Sequence, residues 1–133
     1  MTFHDPCYLG KHNDVYEPSR TLARAIGGSG FREMARSRQT SFCCGGGGGR
    51  AWMEETIGTR INQVRTRDAL STGASVVGTA CPLCLQMFED GIKGIDAGEQ
   101  LKAMDLAELV DRALHKIESA APTSAFAGGP PPR

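Results

Sequence analysis

The chain has 133 residues, the size of one ordinary domain, and its formal net charge is zero, with 15 basic and 15 acidic residues. Apolar residues make up 40% and charged residues 23%, a composition typical of globular proteins. The balanced charge gives no electrostatic support for nucleic-acid binding. No stretch approaches the roughly 18 apolar residues of a membrane-spanning helix. We therefore expect a cytoplasmic chain whose membrane association, where there is any, is made through partners.

The first half of the chain predicts two short strands separated by a helix. Residues 2–4 have strand character, and a strand so close to the first residue suggests a piece of a longer protein. A helix is predicted over 18–26, because Pro18 suits a first turn and a Gly-Gly pair follows the segment. Residues 31–34 predict a second short strand.

The second half begins with the longest predicted helix, over 50–71. Its apolar residues recur at helical spacing and predict one buried stripe, formed by Met53, Ile57, Ile61 and Val64. Trp52 is expected in the core beside this stripe, and Glu54 and Glu55 are expected in the helix's first turn.

Two further strand–helix pairs complete the chain. Residues 74–80 are apolar and β-branched, which predicts a buried parallel strand. Pro82 suits the first turn of the helix that follows. A last strand is predicted over 101–105, before a final helical stripe of Leu106, Leu109, Val110 and Leu114.

This alternation predicts an α/β fold, a small three-layer domain with a short parallel sheet of about four strands flanked by helices. We place the domain at 1–118. The remaining segment, 119–133, is rich in Pro, Gly and Ala, and we predict that it is a disordered tail.

Five cysteines fall at the predicted ends of structural units: Cys7, Cys43, Cys44, Cys81 and Cys84. Cys7 and Cys81 each follow a predicted strand, and the adjacent pair Cys43-Cys44 follows another across a longer loop. Ligand-binding loops of parallel sheets meet at the carboxyl ends of the strands, so we expect all five thiols to converge there. In a reducing compartment such a pattern favours metal binding over disulfides, and an odd number cannot pair completely.

Converging thiols favour a polynuclear cluster over a single ion. Structural zinc is almost always four-coordinate, and adjacent cysteines chelate one ion poorly because their side chains diverge. They can instead reach different irons of an iron–sulfur cluster. The glycines at 45–49 are expected to offer backbone N–H groups to the negative charge, with Lys11 and Arg50 as candidate cationic neighbours.

The cysteine motifs resemble the CCG cysteine-rich domain found in the B subunit of heterodisulfide reductase and in related iron–sulfur oxidoreductases. The resemblance rests on His4-Asp5-Pro6-Cys7-Tyr8-Leu9-Gly10, Cys43-Cys44-Gly45 and Thr79-Ala80-Cys81-Pro82-Leu83-Cys84, and it extends over about 2–114. It implies an α/β domain whose five cysteines ligate a [4Fe–4S] cluster, in some members of a non-cubane form. Other members bind zinc or no cluster in one copy of the motif.

The resemblance also implies a component of a larger redox complex. Implied partners are ferredoxin-like subunits, flavoproteins, or membrane subunits linked to haem and quinone. Family members commonly carry two motifs and this sequence carries one, so we do not expect it to be a catalytically complete enzyme.

Two alternatives remain open from the residues. One is a zinc-binding structural or interaction module. The other is a thiol–disulfide oxidoreductase using Cys81 and Cys84, since a C-x-x-C that opens a helix after a strand is also typical of redox-active thiols. For His4 and His12, which flank Cys7, an ordinary hydrogen-bonded histidine competes with a role in tuning the cluster.

Overall fold

The computed structural model describes residues 1–120. Three strands and five α-helices follow one another in the order β1 (Thr2–His4), α1 (Gly10–Asn13), α2 (Glu17–Gly27), α3 (Ile61–Ser71), β2 (Val76–Thr79), α4 (Pro82–Gly94), β3 (Lys102–Asp105) and α5 (Leu106–Ala120). Short 3₁₀ segments lie at Gly28–Gly30, Arg38–Thr40 and Gly47–Trp52. The predicted tail is outside the described residues from position 121 onward, and its disorder stays a prediction.

The strands form one parallel sheet in the order β1-β2-β3. Thr2 pairs with Val77 and His4 with Thr79, while Thr79 also pairs with Asp105 on the other side. The predicted α/β class with a flanked parallel sheet is confirmed, and three strands compare with the predicted four or so. The difference lies at 31–34, which pairs in no sheet within the described residues although Met34 is buried in the core.

Helices cover both faces of the sheet, which gives the predicted three layers. On one face Val77 packs with Phe88 and Ile92 of α4. On the other face, Phe3 packs with Ala23 of α2 and Leu106 of α5. Successive residues of β2 point to opposite faces of the sheet. Val77 packs against α4, whereas a side chain at Gly78 would meet Leu109 and Phe3 on the other face. The sheet is therefore buried on both sides, as a short parallel sheet requires.

The predicted helix over 50–71 is wrong in its first half. Helix α3 begins only at Ile61, and Met53 and Ile57 are 62% and 93% exposed, so neither belongs to a core stripe. Trp52 is 82% exposed for the same reason. Gly58 has a φ of 70°, a left-handed conformation that interrupts a right-handed helix.

Glu55 also differs from its prediction as a first-turn helical residue. Its carboxylate accepts a hydrogen bond from the backbone N–H of Ile61 at 2.9 Å and pairs with Arg50 at 3.1 Å. It therefore satisfies one of the free N–H groups at the start of α3 from a loop that precedes the helix.

No helix within residues 1–120 is long and apolar enough to cross a membrane.

Candidate metal centre

Three loops meet at the carboxyl-terminal edge of the sheet. Cys7 follows β1 through Asp5 and Pro6, and Cys81 follows β2 as the residue that caps α4. Pro82 occupies the first turn of α4, where its missing N–H costs nothing, and Cys84 lies in the same turn. The pair Cys43-Cys44 comes from the irregular segment between α2 and α3.

All five cysteines line one cavity of about 280 Å³ at this edge. Its other lining residues are Pro6, Tyr8, His12, Gly47 and Leu83. Cys44 and Cys84 are buried, the other three thiols are partly exposed, and none forms a disulfide. A larger groove of about 600 Å³ lies beside α5, but no cysteine lines it. The five sulfur atoms are thus brought together, while their role as ligands stays a prediction.

The thiols contact one another in a chain rather than as a symmetric group. Interactions that shift the thiol pKa values join Cys7 to Cys43, Cys43 to Cys44, and Cys44 to Cys84. The vicinal cysteines therefore lie against each other, and each has one further thiol neighbour, Cys7 of the β1 loop for Cys43 and Cys84 of α4 for Cys44.

The pKa values of three thiols are raised by this crowding. For Cys43 the hydrogen bond with Cys44 is the largest cause, followed by burial. For Cys44 the hydrogen bond with Cys43 lowers the pKa, but the bond with Cys84 and burial raise it to about 11. Burial and the nearby Cys43 raise the pKa of Cys7. Neighbouring thiolates repel one another in a low dielectric, so gathering them in ionised form requires a compensating cation.

Part of the glycine run supplies the expected N–H groups. The Gly45 N–H donates to Cys43 Sγ at 3.3 Å, and backbone N–H groups of Gly46 and Gly47 lower the pKa values of the adjacent thiols. Gly45 has a φ of 97°, and a Cβ there would lie 3.1 Å from the backbone nitrogen of Asn62. A glycine is required at this position both for conformation and for space.

A family model described as "CCG: Cysteine-rich domain" matches residues 1–89. The chain belongs to the CCG cysteine-rich domain family. This confirms the family predicted from the cysteine motifs.

Known relatives of this CCG domain are much longer proteins. It is 51% identical over 110 residues to the probable iron–sulfur-binding oxidoreductase FadF of Bacillus subtilis, covering 83% of this chain and 16% of that protein. It is 40% identical over 121 residues to the EtfAB:quinone oxidoreductase of Syntrophomonas wolfei, covering 86% and 17%. It is 38% identical over 114 residues to one of the subunits of the dihydromethanophenazine:CoB–CoM heterodisulfide reductase of Methanosarcina acetivorans, covering 86% and 27%.

The chain thus spans between about a sixth and about a quarter of the length of these relatives. No solved structure matches it.

The candidate cationic neighbours of the CCG site differ from the prediction. Arg50 pairs with Glu55 and does not line the cavity. Lys11 is exposed. Its charge lowers the pKa of Cys7, but burial raises that pKa by more. The cation that the sequence did not indicate is Arg65, which is fully buried and bonds to His4.

His4 lies next to two of the thiols of the CCG site. One imidazole nitrogen and the sulfur atoms of Cys44 and Cys84 all lie within 4.8 Å of one another. Burial, with the charge of Arg65 second, lowers the pKa of His4 to about 3, so the ring is neutral. His12, unlike His4, lines the cavity, and it is exposed.

Asp5 anchors the Cys7 loop of the CCG domain through a buried ion pair. Arg20 binds both of its carboxylate oxygens, and the Arg38 N–H donates to Oδ2 at 2.8 Å. Burial alone would raise the pKa of Asp5, but these hydrogen bonds outweigh burial and lower it. No feature of the sequence near Arg20 indicates this pairing, because the two residues belong to different elements.

Proposed function

We propose that this chain is an iron–sulfur cluster-binding electron-transfer domain of a heterodisulfide-reductase-like oxidoreductase, acting as one component of a larger redox complex. The observation that carries the proposal is the convergence of five free thiols on one cavity. When bound, the cluster supplies one-electron transfer. The ligands are Cys7, Cys43, Cys44, Cys81 and Cys84.

The donor set fits a cluster better than it fits a single zinc ion. Zinc is satisfied by four ligands, whereas five thiols line this cavity. Thiolate-bound iron–sulfur centres accept ligands from several loops and rely on nearby hydrogen-bond donors. The N–H of Gly45 is one such donor. We propose a [4Fe–4S] cluster, of either cubane or non-cubane form.

The partners in this proposal are ferredoxin-like, flavin-bearing or haem- and quinone-linked subunits. Support comes from the names of the relatives, which include an EtfAB:quinone oxidoreductase and a component of a heterodisulfide reductase. The chain covers only 17% and 27% of those two proteins, and in this proposal it supplies one electron-transfer centre rather than a whole reaction. A cytoplasmic location, with membrane contact through partners, belongs to the same proposal.

Single cysteine variants test the ligand set. After anaerobic reconstitution with iron and sulfide, Cys43→Ser and Cys44→Ser are each expected to lose most of the bound iron and acid-labile sulfide, because each thiol would reach a different part of the cluster. The measurement is iron and sulfide per chain, with EPR of the reduced protein.

All five cysteines of the chain belong to the proposed ligand set, so no cysteine outside the site can serve as a control. An assay of thiol–disulfide activity serves instead. A metal-free wild-type chain that reduces insulin, and keeps doing so after Cys43→Ser, would identify a thiol–disulfide oxidoreductase using Cys81 and Cys84. Tightly bound zinc without sulfide would identify a zinc module. Either result contradicts the proposal.

A further inference from the structure

Arg65 determines which nitrogen of the His4 ring carries the proton. The Arg65 Nε–H donates to Nδ1 of His4 at 3.1 Å, and both side chains are fully buried. A guanidinium has only donors, so Nδ1 must present its lone pair. With Nδ1 accepting this bond, a ring proton is carried on Nε2.

Arg65 cannot easily turn away to allow the other tautomer. Its guanidinium also donates to the Arg36 carbonyl oxygen at 2.9 Å, to Asp68 at 3.0 Å and to Ser41 Oγ at 3.4 Å. The His4 ring also packs edge-on against the ring of Phe88, with 5.1 Å between the two centroids. The imidazole is therefore held in both orientation and protonation.

The Nε2–H group has no hydrogen-bond partner within residues 1–120, although it is buried. An unsatisfied buried donor costs about 1–3 kcal/mol, so such a group in a folded protein calls for an acceptor. Nδ1 is engaged by Arg65, which leaves Nε2 as the nitrogen free to face the sulfur atoms of Cys44 and Cys84.

Building on the proposed function, we propose that His4 is a positioning residue that donates a hydrogen bond from Nε2 to a sulfur of the bound cluster on the Cys44–Cys84 side. It is not a metal ligand. Ligation through Nε2 would require the proton on Nδ1, where it would point at the Arg65 Nε–H and set two donors against each other.

The bond has a consequence for electron transfer. Hydrogen bonds to the sulfurs help to set the reduction potential of an iron–sulfur cluster. A donor stabilises the more negative, reduced state, so it raises the potential. Removing the donor is expected to shift the midpoint potential to a more negative value without changing the number of irons bound.

The test compares midpoint potentials of the reconstituted chain and three variants. His4→Phe removes the donor in a side chain of similar shape and is expected to lower the potential. His4→Gln keeps an amide N–H for the cluster and a carbonyl oxygen for Arg65, and its potential is expected to lie closer to wild type. His115→Phe is the matched control at an exposed position of α5 and is expected to change nothing.

Because His12 also lines the cavity, pulsed EPR is performed on the His12→Phe chain labelled with ¹⁵N-histidine, and it decides the question even where a His4 variant fails to fold. A weak nitrogen coupling with one nearby exchangeable proton supports the donor. A strong coupling from iron-bound nitrogen, or no coupling at all, overturns it.

The failures are distinguishable from one another. A wild-type cluster with an unchanged potential in His4→Phe contradicts the role of His4 and leaves the proposed function intact. A wild-type chain without iron and sulfide contradicts both.

Discussion

At the scale of single residues, buried charges hold the loop that carries Cys7. Arg20 is fully buried and binds Asp5 as well as Glu33, at 2.8 Å from the latter. Removing one partner of a buried pair leaves the other charge desolvated, which costs far more than breaking an exposed pair. Asp5 is also bonded to the Arg38 N–H, so it joins β1 to the segment that leads to Cys43.

The variant Arg20→Met is therefore expected to lower the free energy of unfolding by about 3–5 kcal/mol. Arg24→Met is the matched control, because Arg24 also contacts Glu33 but its side chain is 45% exposed. Exposed pairs contribute about 0–1 kcal/mol, so little change is expected there. Urea unfolding of the chain measures both, and equal losses in the two variants would contradict a structural role for the buried pair.

At the scale of secondary-structure elements, the contact between α3 and α4 depends on a glycine. A Cβ at Gly91 would collide with Thr66 Oγ1 and lie 2.9 Å from the Asn62 carbonyl oxygen. Since α4 carries Cys84 in its first turn and α3 carries Arg65, the close approach of these helices helps to set the distance between the thiols and the buried cation.

Gly91→Ala is expected to destabilise the chain even though alanine is the better helix former. Propensity favours alanine by about 1 kcal/mol, whereas overpacking a tight contact costs about 1–3 kcal/mol. The matched control is Gly98→Ala, since no heavy atom lies within 4 Å of a Cβ built at that position. Thermal unfolding compares the two. Stabilisation by Gly91→Ala would show that the helices are free to separate.

The sequence predicted well those strands and helices whose conformation depends mainly on their own residues rather than on contacts with distant segments. Residues 74–80 contain β2, and the predicted helix over 18–26 lies within α2. The helix over 50–71 failed because periodicity continued through a segment that Gly58 and the distant cap from Glu55 keep non-helical. The strand at 31–34 failed because strand pairing is decided by tertiary contacts that β-propensity does not report.

At the scale of the whole molecule, the cysteine spacing predicted the meeting of the three loops, because in a parallel sheet the strand ends share one edge. The buried polar residues of α3, which pack near the thiols, were not predictable from the sequence. Helix α3 buries Asn62, Arg65 and Thr66, where an amphipathic pattern would lead one to expect apolar side chains. Arg65 is buried because it bonds to His4, Ser41 and the Arg36 carbonyl oxygen of other elements, and a single sequence does not record such pairings. Thr66 is satisfied within α3, where its Oγ1 donates to the Asn62 carbonyl oxygen.

The chain is much shorter than the relatives that it matches. It spans 16% to 27% of their lengths and carries one CCG motif, which in the proposed function contributes one centre to an electron-transfer path. The larger groove beside α5, lined by Leu22, Val110 and Leu114 among others, includes none of the thiols.

Native mass spectrometry of the anaerobically purified chain counts the atoms bound to the folded protein and so distinguishes a cluster from a single ion. If the five cysteines bind an iron–sulfur cluster, the mass is expected to equal that of the chain plus several irons and several sulfides. A spectrum showing the bare chain, or the chain with one zinc and no sulfide, would contradict it.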